Sequence, residues 1–169
     1  MSGQTISSLK ALFQSRLATL EHLLKTAQAH FGEGEGFLEQ RIAADMYPLS
    51  TQIAFTCNQP RNFGLWCEGK PADNLDREVT LEQAYVHIAN TKALLEGIQA
   101  EDTKLSELTR IELGPNLSLE MSGSDYVNEF LLPNFYFHLV TSYNILRMAG
   151  VPIGKKDYML NLAPFIRQA

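Results

Sequence analysis

The spacing of apolar residues near the start of the chain limits its fold more than any other feature. Ile6, Leu9, Phe13, Leu17, Leu20, Leu24 and Ala27 follow one another at steps of three or four, which lines them up on one face of an α-helix. A helix with one apolar stripe must bury it against another element, and the chain supplies partners of the same kind. Leu81, Ala84, Tyr85, Ile88, Thr91, Leu95 and Ile98 repeat the pattern behind Thr80-Leu-Glu-Gln83. That tetrad has the form of a capping box, in which hydroxyl and amide side chains answer the first free backbone N–H groups. Residues 126–148 are helical in pattern a third time, ahead of Gly150 and Pro152. A further helix is expected with Asp45 as its cap and Pro48 in its first turn, running to about Asn58. Beyond it Pro60 and the glycines at 64 and 69 weaken the pattern, leaving Trp66 to cover the end of the bundle.

The connections are legible too. The first helix ends near His30, and the GEGEG run at 32–36 breaks it; the FLEQRIAA segment after it can form a short helix. Between Thr109 and Met121, RIEL, GPN and LSLEM alternate apolar and polar residues around a turn, the pattern of a two-stranded hairpin. Ser122-Gly-Ser-Asp125 offers a second capping arrangement. Pro133 lies inside the last long helix, so a kink is expected beside Asn134. That helix is apolar nearly all round, which suits burial on several sides or a dimer seam. The tail at 151–169 is expected to fold back through Tyr158, Leu160, Leu162 and Phe165, with Lys155 and Lys156 in a solvated turn.

Composition bounds the function classes. The 169 residues are 45% hydrophobic and 20% charged, enough apolar matter for one domain over 1–169 with a real core. The net charge of −5 argues against nucleic acid as a partner, since phosphates call for a basic face. No apolar run approaches the roughly 20 residues needed to cross a bilayer, and the first ten residues lack a signal core. These features lead us to expect a soluble, cytoplasmic protein without a membrane partner. Two cysteines, Cys57 and Cys67, form neither a disulfide scaffold nor a metal knuckle. Cys57 reads as a small core residue and Cys67, beside Trp66 in a loop, as the more accessible one.

Polar residues inside the last long helix are the candidate site. Asn134 and His138 are four apart and share a face with Thr141 and Ser142, amid Leu, Phe, Val and Ile. Groups placed so need partners from another helix, because a buried polar group without a hydrogen bond costs about 1–3 kcal/mol. Gln52 is the first candidate, with Tyr47 and Asp45 behind it. A core network fixing helix register and a ligand or metal pocket both satisfy this pattern. His22, His30 and His87 read as surface or boundary residues. A Gly-rich phosphate loop, a serine elbow and a carboxylate pair are all missing from the sequence.

Three motifs carry a family resemblance: ADMYPLSTQ at 44–52, LPNFYFHLVTSYNILRMAGV at 132–151 and GKKDYM at 154–159. Through them the chain resembles the DUF1993 family of domains of unknown function, grouped with the DinB/YfiT-like metalloenzymes. The resemblance implies an all-α, up-down-down-up four-helix bundle, usually a homodimer, with the small hairpin between helices three and four. In DinB-like proteins three histidines commonly hold a divalent metal such as zinc or nickel. Aligned on Leu146, Arg147 and Gly150, His138 matches one of them, while Asn134 and Gln52 fall at the other two positions. Carboxamide oxygens are harder and weaker ligands than imidazole, so the metal site is expected to be degenerate, restored in part only if Asp45 reaches it. The expected function is therefore a non-catalytic or small-ligand-binding module without a metal cofactor. The alternative is a metal-dependent hydrolase or thiol S-transferase of the DinB type.

Overall fold

The computed structural model describes residues 4–167; residues 1–3 and 168–169, the last two of which belong to the expected tail, lie outside it. The first helix, α1 (Ile6–Phe31), opens on a capping box between Thr5 and Ser8 and buries Ile6, Leu9, Phe13, Leu17, Leu20, Leu24 and Ala27. A 3-10 turn at Gly36–Glu39 follows, then α2 (Leu49–Cys67), α3 (Leu81–Gly97) and a second 3-10 turn at Asp102–Ser106. Strands β1 (Leu108–Gly114) and β2 (Leu117–Ser122) pair antiparallel, with Thr109 opposite Met121. One helical turn, α4 (Gly123–Asp125), passes through π-helical residues Tyr126–Leu131 into α5 (Leu132–Met148). Short α6 (Lys155–Tyr158) and a 3-10 segment at Leu160–Phe165 end the described chain.

Side-chain bonds give the helix directions. Tyr85 meets Gln28, Lys92 meets Glu21, and Lys10 reaches the carbonyl of Ile98, so α1 and α3 run antiparallel. His138 meets Gln52, while Trp66 packs on Tyr126, so α2 and α5 are antiparallel as well. The connector at 68–80 travels back along α2: Asn62 accepts from the Asp73 amide, Asn58 from the Leu75 amide, and the Tyr47 hydroxyl from Arg77. It therefore starts α3 near the head of α2, parallel to it, and the bundle is up-down-down-up. Phe13, Phe63 and Phe135, all fully buried, meet at its centre with ring centroids 5.2–5.3 Å apart.

Four expectations change. Asp45 is not the cap of α2; it sits exposed in a turn at 43–46, and Pro48 occupies the cap position with no side-chain bond. The helix continues through Pro60 and Gly64 to Cys67, because its second half is buried on both sides and tertiary packing outweighs propensity. At Gly64 a Cβ would come within 2.9 Å of Leu94, so the residue that looked like a stop is there for the close approach of α3. Trp66 and Cys67 thus lie on a helix, and Cys67 is buried with its thiol pushed up to about 12 by desolvation. Pro133 lies, as expected, inside a helix unbroken from Gly123 to Met148, and the turns just before it are π-helical. The tail lies back on α1 through the His22–Asp157 contact, and Tyr158 packs edge-on against Tyr143. Leu160, Leu162 and Phe165 nevertheless remain exposed. Among the described residues no helix is long and apolar enough to cross a membrane.

Candidate functional site

The site residues come from two long helices, the segment just before α2 and the connector between α2 and α3. Gln52 stands in the first turns of α2, 2% exposed. Its Nε2 donates to the Tyr47 backbone carbonyl at 3.2 Å, and a carbonyl can only accept, so the orientation of the amide is fixed. That leaves Oε1 to face the Nδ1 of His138 at 2.8 Å. An amide oxygen cannot donate, so Nδ1 carries the proton whenever the ring is neutral. Burial pushes the His138 imidazole down to about 4, so the ring is neutral at physiological pH. Its Nε2 therefore holds a free lone pair.

His138 lines a cleft of about 380 Å³ together with Phe55, Asn58, Gln59, Leu75 and Arg77. Phe55 packs edge-on against the imidazole, ring centroids 5.1 Å apart, and Tyr47 packs edge-on against Phe55 at 5.5 Å. The Tyr47 hydroxyl accepts from Arg77 at 3.2 Å, while that guanidinium lies 5.5 Å from the Tyr47 ring centroid. One tyrosine thus orients both polar ends of the cleft: its carbonyl sets the His138 tautomer through Gln52, and its hydroxyl holds Arg77.

Sequence spacing paired His138 with Gln52 correctly but not the rest of the face. Asn134 Nδ2 donates to the Phe130 carbonyl at 2.6 Å, and the Thr141 and Ser142 hydroxyls donate to Phe137 and His138 carbonyls in their own helix. None of these joins the Gln52–His138 pair. Arg77, Asn58 and Phe55 escaped the sequence reading altogether. Asn58 and Asn62 are one helical turn apart and both turn their oxygens to the connector; an i, i+4 asparagine pair on a buried face was the signal that could have found them. Cys57 is buried and its thiol is pushed up to about 12 by desolvation, as a core residue's would be.

A transition-metal centre does not fit this donor set. Gln52 Oε1 is taken by His138, the Asn134 amide donates to a main-chain carbonyl, and Asp45 stands in an exposed turn. Among the described residues no group of three or more His, Cys, Asp or Glu side chains could hold a metal ion.

An up-down-down-up bundle of four long helices, with a hairpin between the third and the last, places the chain in the DinB-like class. The solved structure of a DinB family member protein from Shewanella denitrificans superposes with a TM-score of 0.77 at 29% identity, covering 89% of this chain and 88% of that one. Within that class the chain belongs to the DUF1993 family, described as a domain of unknown function, whose model matches residues 7–159. A search of the curated proteins finds no match.

Proposed function

We propose that this DinB-like bundle is a small-ligand-binding module, non-catalytic and independent of metal, whose site is the cleft beside His138. The observation that carries the reading is the relay from the Tyr47 carbonyl through Gln52 to His138, which fixes an acceptor nitrogen on the wall of the cleft. Arg77 lines the same cleft and supplies a cation. An acceptor and a cation together suit a small organic acid whose own O–H or N–H donates to Nε2 while its carboxylate pairs with Arg77. Phe55 and Leu75 would pack against its carbon skeleton.

Ligand-observed NMR with a library of small hydroxy and amino acids tests this reading. Binders should weaken about tenfold or more in both His138→Ala and Arg77→Gln, at unchanged fold; binders indifferent to both substitutions, or none in the library, would overturn it. The reading as a metal-dependent hydrolase or thiol S-transferase draws on the same free Nε2, but would need two more ligands than His138 provides. The proposal also takes the protein as a homodimer through the outer face of α5. Phe137 and Met148 are 57% and 55% exposed there, and Val140 shares their stripe at helical spacing.

A further inference from the structure

The α2–α5 pair carries a second cavity at its other end, roughly 20 Å along α2 from Gln52 at 1.5 Å per residue. It measures about 410 Å³ and lies between the last turn of α2, the connector and β1. Trp66, Pro71, Ala72, Ile111 and Tyr126 supply its apolar walls. These walls are held in place without an occupant. Trp66 Nε1 donates to the Thr109 hydroxyl at 3.0 Å, the Lys104 ammonium lies 5.3 Å from the indole centroid, and Tyr126 packs edge-on at 5.6 Å. Gly123 lets the chain pass so close that a Cβ there would meet the indole at 2.7 Å.

The polar groups of this cavity are of two kinds. Those at the rim are already paired: Arg110 with Glu112 at 2.8 Å, and Lys70 with Glu68 at 2.7 Å. Tyr126 differs. The residue as a whole is 5% exposed and lines the cavity, and its hydroxyl, which bonds no described group, is not fully cut off from solvent. Desolvation pushes that phenol up to about 12, so it stays an O–H donor at any physiological pH. Water in the cavity can satisfy such a donor, and an occupant that brings an acceptor would take that water's place. Since the rim charges are matched within the protein, the acceptor need not be an ion.

We propose that this cavity binds a flat, uncharged aromatic molecule bearing a carbonyl oxygen, its ring held among Trp66, Pro71 and Ile111 and its oxygen accepting from the Tyr126 hydroxyl. The volume falls within the range of ordinary small-molecule pockets. The site shares no lining residue with the cleft at His138, so this proposal stands or falls apart from that one.

Trp66 is the only tryptophan of the chain, so its emission lifetime reports occupancy directly. Coumarin, which has the carbonyl, and naphthalene, which lacks it, are the probes. Coumarin should shorten the lifetime saturably with one site per chain, and naphthalene should bind about tenfold more weakly, the worth of one buried hydrogen bond. Tyr126→Phe should bring coumarin down to the level of naphthalene and leave naphthalene unchanged. Ala72→Phe fills the mouth from an exposed connector residue and should abolish both, which keeps the test decisive should Tyr126→Phe not fold. His138→Ala should alter none of these. An absent or unsaturable response, equal affinity for the two probes in the wild type, or binding that survives Ala72→Phe would overturn the proposal.

Discussion

Ser50 and His138 show how single groups in this fold are balanced against water. The Ser50 hydroxyl is buried in the first turn of α2 without a hydrogen-bond partner, which costs the desolvation of a hydroxyl with no return. Ser50→Ala removes that cost and improves helix propensity, so the melting temperature should rise by an amount equivalent to about 1 kcal/mol; thermal unfolding followed by circular dichroism checks it. His138 acts through protons. Its imidazole is pushed down to about 4 in the folded chain against an ordinary 6.5, so between these values the unfolded chain binds more protons. Stability should therefore fall as pH drops from 6.5 to 4 and change no further from this group below that. The loss should be about 2 kcal/mol, discounted because the ring is partly solvated. Urea unfolding at a series of pH values should show this slope, and His138→Gln should flatten it. The Gln52–His138 contact was legible because His138, on a helix otherwise largely apolar, called for a polar partner from another helix, and Gln52 was offered by its offset from Asp45, although Asp45 is not the cap. Asn134 misled for the same reason: spacing says which face a residue shares, and its amide bonds within its own helix instead.

At the scale of elements, the connector at 68–80 contributes a wall to each of the two cavities and owes its path to asparagines of α2. Asn58 is 3% exposed and its Oδ1 accepts from the Leu75 amide at 2.8 Å, while Asn62 reaches both the Asp73 amide and the Asn74 side chain. Asn58→Ala would leave the Leu75 N–H without its protein partner and cost about 1–3 kcal/mol. Amide hydrogen exchange should locate the effect, with protection lost at Leu75 and its neighbours before the helices; uniform loss across the chain would mean that the connector is not a separate unit. Periodicity revealed α1 and α3, since each buries a single stripe, and the Thr80–Gln83 motif revealed the capping box of α3, whereas the Thr5–Ser8 box of α1 was not anticipated. It stopped α2 too early, because Pro60 and Gly64 are helix breakers by propensity, whereas Gly64 is there for the close approach of α3. The connector has no period at all, which is why Arg77 could not be found from sequence.

For the whole molecule, the directions of the four long helices follow from a few bonds between side chains, and the hairpin closes one end beside Trp66. What remains outside is an apolar stripe on α5, with Leu160, Leu162 and Phe165 of the tail also exposed. A second copy covering the α5 stripe would keep Phe137 and Met148 from water. Sedimentation at micromolar concentration should give a dimer for the wild type and a monomer of unchanged helicity for Phe137→Glu; a wild-type monomer would refute the seam. The bundle was legible from sequence because helix patterns are local, whereas the cavities arise from loops crossing helices and left no local trace.

The central claim, that His138 serves a metal-independent ligand site, is tested most directly by its own ring nitrogens. The measurement is a ¹⁵N–¹H spectrum of untagged protein, purified without chelator and then given zinc or nickel, alongside elemental analysis of the same sample. The structure requires a neutral ring protonated at Nδ1, and the proposal predicts no stoichiometric metal and an Nε2 signal that the ions leave in place. One metal per chain, shifting Nε2 and lost in His138→Ala, would contradict it.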